Sequence, residues 1–162
     1  MIIPNLWFDK NAEAAVNFYL SVFKDGKIYR ILRYGKERHD PGMFQEGDAL
    51  TIEFEIQKTH FVAINGGPHF QLSEAISLLV ECDDQAEIDY YWDRLSEDGD
   101  SESQACGWLK DKFGLSWQIM PRGLSDWLSS DNTARNERVM KALLNTKNKI
   151  ILADLRAAYE NK

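Results

Sequence analysis

Cysteine, histidine and proline are all scarce in this 162-residue chain, at two, three and four residues. Cys82 and Cys106 form no CxxC pair and stand at no zinc-finger spacing. That excludes a structural zinc site and a disulfide framework, and leaves two small reduced thiols, buried or half-buried. Only Lys110 and Lys112 lie close enough in sequence to activate one of them. Long apolar runs are missing too. Nothing approaches the roughly 18 residues a membrane-spanning helix requires, and the opening Met1-Ile2-Ile3-Pro4-Asn5-Leu6-Trp7 has neither a basic region nor a small-residue cleavage site. The expectation is a cytoplasmic protein with no membrane partner. Basic residues are outnumbered, 19 Lys and Arg against 26 Asp and Glu, for a net charge of −7. Duplex binding needs clustered Lys and Arg to displace phosphate counterions, and no such stripe exists, so nucleic acid is excluded as a partner.

What remains is the composition of a globular chain: 44% apolar and 28% charged residues, in a length that fits one ordinary domain with a short extension. Most of the aromatics, 12% of the chain, recur at helix or strand spacing and read as core rather than as stacking platforms.

Residues 2–8 are apolar and β-prone, a first strand. Residues 11–23 form a helix whose Ala15, Phe18, Tyr19, Val22 and Phe23 make one stripe, with Asp9 or Asn11 as its cap and Asp25-Gly26 as its end. Strands follow at 27–34, 49–56 and 60–65, with a charged loop at 35–47 that contains His39. Gly66-Gly67-Pro68 breaks the pattern. The order then restarts with a strand at 75–82, a helix at 85–95, an acidic loop at 97–104, and strands at 106–110 and 115–120. At one constant offset Asp9 aligns with Asp83, Ala12-Glu13 with Ala86-Glu87, and Phe18 with Trp92. The repeated element order makes this an internal duplication. Beyond Gly123 come a short amphipathic stretch and helices at 136–144 and 150–159, whose apolar faces (Val139, Met140, Leu143, Leu144; Ile151, Leu152, Leu155, Ala158) need burial against the domain or a second chain.

Several stretches carry a resemblance. They are Asn5-Leu6-Trp7-Phe8, Ala12-Glu13-Ala14-Ala15-Val16-Asn17-Phe18-Tyr19, Phe61-Val62-Ala63-Ile64-Asn65-Gly66-Gly67-Pro68, and above all the run from Cys106-Gly107-Trp108 through Trp117-Gln118-Ile119-Met120-Pro121. Over nearly its whole length the chain resembles the PhnB-like family, also called the 3-demethylubiquinone-9 3-methyltransferase domain, of the glyoxalase/bleomycin-resistance (vicinal oxygen chelate) superfamily. The resemblance implies an α+β fold of two consecutive βαβββ modules forming a cupped mixed sheet. The modules span about 1–68 and 74–122 within a domain of 1–122, followed by a helical extension over 123–162. It also implies a small organic molecule held in the cup, by a reaction or a binding role it does not specify, and a homodimer. The alternative within the superfamily is a metal-dependent isomerase or oxygenase. Methyl transfer is not expected, because no glycine-rich strand-to-helix turn of the adenosylmethionine-binding kind is present.

Metal-using relatives chelate a divalent ion with His and Glu from the first and last strands of each half. Here those strands offer Asn5, Ser77, Gln118 and, near the remaining place, Ala63, so no metal and no other cofactor is expected. Alternation groups Ser116 and Met120 with Gln118, and Phe61 and Asn65 with Ala63. With Asn5, Trp7 and Ser77 added, the expected ligand-binding lining is apolar walls with a few amides and hydroxyls; no catalytic residue stands out. His60 opens a strand and can face either way, and His69 reads as a loop residue. Glu53 and Glu55 share a strand face and read as a solvated pair opposite Ile52, Phe54 and Ile56.

Overall fold

The computed structural model describes residues 1–36 and 42–162, so His39 lies outside the described residues. The chain divides into two compact units, Met1–Leu72 and Ser73–Lys162.

In the first unit, β1 (Asn5–Phe8) leads into α1 (Ala12–Val22), then β2 (Lys27–Arg33), β3 (Ala49–Ile56) and β4 (Thr59–Asn65). The sheet order is β1-β4-β3-β2, with β1 parallel to β4 and the other pairs antiparallel. Ala12, Ala15, Val16, Tyr19 and Val22 of α1 are buried against the sheet, where Tyr19 stacks on Phe54 with 6.4 Å between ring centroids. The helix start is not capped by the side chain of Asn11, nor by Asp9. Asn65 does that work from the far end of β4: its Oδ1 accepts from the Ala12 N–H at 2.9 Å while its Nδ2 donates to the Ala49 carbonyl at 3.0 Å. One buried amide thus satisfies an orphan donor of the first helical turn and ties β4 to β3.

The second unit repeats the order: β5 (Ser77–Cys82), α2 (Gln85–Leu95), β6 (Asp100–Ala105), β7 (Trp108–Lys110) and β8 (Ser116–Pro121), in a sheet ordered β5-β8-β7-β6. Here α2 is capped locally. Asp84 accepts from the Glu87 N–H at 2.9 Å, and the Glu87 carboxylate accepts from the Asp83 N–H at 2.8 Å, a close variant of the capping box. The acidic segment expected to be a loop is the edge strand β6. It pairs with β7 only at Asp100–Lys110 and Ala105–Trp108, with the register broken between them, which is why no alternating pattern marks it. Cys106 and Gly107, expected in a strand, are instead the two-residue turn of the β6–β7 hairpin, both at positive φ (52° and 82°). The fold is therefore α+β, two βαβββ modules, each a mixed four-stranded sheet.

The helices α3 (Leu124–Leu128), α4 (Thr133–Leu144) and α5 (Leu152–Glu160) complete the second unit. The α4–α5 connection docks on its own chain. Thr146 and Asn148 carbonyls accept from the Cys106 and Gly107 N–H groups at 2.8 and 3.0 Å, and Lys149 reaches Asp89 at 2.8 Å. Gln85 donates to the Ile150 carbonyl and accepts from the Leu152 N–H, and Ile150 is completely buried beside Gly107. Val139, Leu152 and Leu155 are buried, whereas Met140, Leu144 and Ile151, expected on buried stripes, are exposed.

Candidate functional site

Strand alternation gives each sheet one face toward its helix and one turned away. In the first sheet the parallel register pairs Asn5 with Val62, Leu6 with Ala63, Trp7 with Ile64 and Phe8 with Asn65. Leu6, Phe8, Phe61, Ala63 and Asn65 are buried on the α1 side, and Asn5, Trp7, Val62 and Ile64 lie on the opposite one. The expected grouping of Phe61 and Asn65 with Asn5 and Trp7 is corrected accordingly. Phe61 stacks on Phe54 at 5.4 Å in the core, and Asn65 is the cap of α1. The residues beside Asn5 and Trp7 on β4 are apolar and cannot ligate a metal.

Glu53 and Glu55 do face away from Ile52, Phe54 and Ile56, on the same side as Trp7. Glu55 is not a free solvated carboxylate, however. Its Oε2 accepts from the Tyr29 hydroxyl at 2.9 Å and lies 2.9 Å from His60 Nε2, while the Tyr29 and His60 rings stack at 4.7 Å. Three strands are linked through this one side chain.

The second sheet brings its expected residues together. Ser77 pairs with Ser116, Leu79 with Gln118 and Glu81 with Met120 across the parallel β5–β8 ladder, while Trp108 pairs with Gln118 and Lys110 with Ser116 across β8–β7. The face turned away from α2 therefore carries a row Ser77, Ser116, Lys110 and, beside it, a row Leu79, Gln118, Trp108. Gln118 Nε2 donates to Ser77 Oγ at 2.8 Å. Ser116 is 1% exposed, and its hydroxyl has no hydrogen-bond partner among the described residues. Lys110 is paired with Glu74, and the hydrogen bond from that ammonium holds the Glu74 carboxyl below its ordinary value. Glu81 is paired with Arg122 at 3.2 Å. Sequence reading does not assign Trp108 or Lys110 to the site, although the alternation Trp108-Leu109-Lys110 places them on one face.

Cys82 is no part of this site. It lies on the α2 side, 1% exposed, and burial, reinforced by Glu87 and Asp83, pushes its thiol up to about 12. Cys106 sits half-buried in the hairpin turn. A disulfide-exchange reagent at pH 8 is expected to titrate one thiol in the native protein and two in denaturant; two fast native thiols would contradict the burial of Cys82.

Paired βαβββ modules of this topology define the glyoxalase/bleomycin-resistance superfamily. A profile of the family described as 3-demethylubiquinone-9 3-methyltransferase matches residues 1–120. No curated protein matches the chain. Among solved structures, a Bacillus cereus protein described as a putative 3-demethylubiquinone-9 3-methyltransferase, PhnB protein, is 32% identical with a TM-score of 0.61, over 74% of this chain and 98% of that one. The Pseudomonas aeruginosa protein PA1353 (19% identity, TM-score 0.58, 75% and 97% covered) and the fosfomycin resistance protein FosX of Mesorhizobium loti (14%, 0.51, 80% and 97%) share the fold. The chain belongs to the 3-demethylubiquinone-9 3-methyltransferase, or PhnB-like, family of that superfamily.

The fold bears on the chemistry those names imply. An adenosylmethionine site of the Rossmann kind needs a parallel, doubly wound sheet with a glycine-rich turn opening a helix. Both sheets here are mixed, and the space beside Gly66 is filled by the Trp7 indole. Nor do the residues fit a divalent metal: among the described residues no three His, Cys, Asp or Glu side chains converge to hold one. Likewise, no described helix is long and apolar enough to cross a membrane.

Proposed function

We propose that this protein binds a small, electrically neutral organic molecule on the face of its second sheet turned away from α2. The observation that supports this most is the buried, unpartnered hydroxyl of Ser116. A buried polar group without a partner costs about 1–3 kcal/mol, which a ligand hydrogen bond would recover. Beside it, Gln118 keeps its carbonyl oxygen and Ser77 its hydroxyl hydrogen for a ligand, while Leu79, Trp108 and Met120 supply apolar surface. Sparse polar groups among apolar walls are how small-molecule sites orient their ligands. The charges on this face, Lys110 and Glu81, are already neutralised by Glu74 and Arg122, so an anionic ligand would have to break an ion pair. Asn5 and Trp7 lie on the corresponding face of the first sheet, which also carries Glu53 and Glu55.

A thermal-shift screen of neutral hydroxyl- and amide-bearing metabolites, anionic metabolites and divalent metals tests the reading. Binding to the native state raises apparent stability. Neutral compounds are expected to raise Tm in the wild type and to lose that effect in Ser116→Ala and Gln118→Leu. Stabilisation confined to phosphonates or phosphates, or stoichiometric metal in protein purified without added ions, would overturn it.

The protein also functions as a homodimer on this reading. Leu32 and Leu79 are 53% and 57% exposed, and Met140 and Leu144 are exposed side by side on α4; adjacent apolar side chains of this kind are what an assembly covers. Sedimentation at micromolar concentration is expected to give twice the 18.7 kDa of one chain.

A further inference from the structure

We infer that the two copies meet through helix α4, in an antiparallel pairing of one α4 stripe with its symmetry mate. The inference rests on the homodimer reading and names its surface. Met140 and Leu144 stand one turn apart on α4, 41% and 65% exposed, although the helix buries Val139 completely on its inner side. They border an open groove of about 470 Å³ whose other apolar wall is Leu128 of α3. One surface therefore carries both a projecting side chain, Leu144, and a groove that can receive a leucine. An isologous interface requires this of a single patch, because every contact occurs twice about the two-fold axis.

The charges select the occupant. Glu137 and Lys141 flank the stripe, one of each sign, four residues apart. Both line the groove, and neither has an ion-pair partner in its own chain among the described residues. Laid antiparallel across a two-fold axis near Met140, Glu137 of each copy comes within side-chain reach of Lys141 of the other. The pairing makes two intermolecular ion pairs around an apolar centre. A partner of uniform charge would match only one of the two residues, whereas a second copy matches both.

Charge exchange tests this directly, with sedimentation velocity as the readout. Glu137→Lys turns both intermolecular ion pairs into contacts between two ammonium groups and is expected to weaken dimerisation by at least about tenfold. Lys141→Glu is expected to do the same with two carboxylates, and the double exchange Glu137→Lys with Lys141→Glu to restore the dimer. Leu144→Glu is expected to give a folded monomer, since the residue is exposed in the chain itself. A dimer indifferent to all four variants overturns the assignment of the surface but leaves the homodimer standing, placed on the sheets. A wild-type chain that sediments as one copy up to about 100 µM overturns both, leaving the groove to a different protein.

Discussion

Replacing Asp111 with alanine is expected to lower the unfolding free energy by roughly 3–5 kcal/mol, among the largest losses any single substitution here can cause. Asp111 is 2% exposed, at the turn between β7 and β8. Its Oδ1 accepts from the Phe113 and Leu115 N–H groups at 2.8 and 3.1 Å, and its Oδ2 accepts from the Trp117 indole N–H at 2.8 Å. Hydrogen bonds to a carboxylate are stronger than neutral ones, and removing it strands two fully buried donors, the Leu115 amide and the Trp117 indole. Only Phe113 is open enough for water to take over. Asp111→Asn separates the two roles. Asparagine keeps one accepting oxygen for the turn but turns its NH2 toward the indole N–H, donor against donor. Urea unfolding followed by circular dichroism should show an intermediate loss for Asp111→Asn, and a smaller one when Trp117→Phe has already removed the indole donor. Equal costs in both backgrounds would show that the Trp117 bond contributes little.

That turn also decides how far the site can be foreseen. Sequence alternation along 115–120 correctly separates Ser116, Gln118 and Met120 from Trp117 and Ile119, because period two holds inside a continuous strand. It cannot say which residues of the preceding strand lie beside Gln118. That register is set by the Asp111 turn, which places Trp108 opposite Gln118 and Lys110 opposite Ser116. In the first half, the reading that places Ala63 beside Asn5 is off by one residue. The parallel pairing sets Val62 there, and a one-residue slip exchanges the faces of a whole strand. Phe61 and Asn65 thereby move from the lining to the core.

Other misses have long-range causes. The cap of α1 comes from Asn65, on the last strand of its module, so no local motif announces it. The sequence 100–105 is polar at every position but the last, and its strand conformation is imposed by pairing with β7 at an edge. Acidic residues and an irregular register are also what keep such an edge from pairing with other chains. Where burial and local pattern agree, as in 49–56 and 85–95, the boundaries read from sequence coincide with those of β3 and α2. The tail is a mixed case. Its helices are legible, but Ile150 is buried where the Thr146 and Asn148 carbonyls tie the preceding segment to a hairpin turn, and neither hydrophobic periodicity nor propensity encodes that.

Gly66→Ala should cost roughly 2–4 kcal/mol, combining the overpacking of a methyl group with the loss of a hydrogen bond. A Cβ at this position would stand 2.1 Å from Cζ2 and 2.2 Å from Cη2 of the Trp7 ring, far inside van der Waals contact. The indole cannot simply swing aside. Its Nε1 donates to the Gly67 carbonyl at 2.9 Å, and its ring meets Phe70 edge-on at 5.0 Å. The backbone is equally tied, because the Gly66 and Gly67 N–H groups donate to the Phe8 and Asp9 carbonyls at 3.0 Å. Either the ring moves and loses its partners, or the loop moves and strains the end of the β1–β4 ladder. Shrinking the ring relieves the clash, so Gly66→Ala should cost less in a Trp7→Leu background than in the wild type. Gly35→Ala is the control: among the described residues nothing lies within 4 Å of its would-be Cβ, and the change should fall within about 0.5 kcal/mol of neutral. Chemical denaturation of the four variants forms a double-mutant cycle with its control. A Gly66→Ala penalty that is the same with and without the Trp7 indole would mean that the glycine is required for its backbone rather than for the room it leaves.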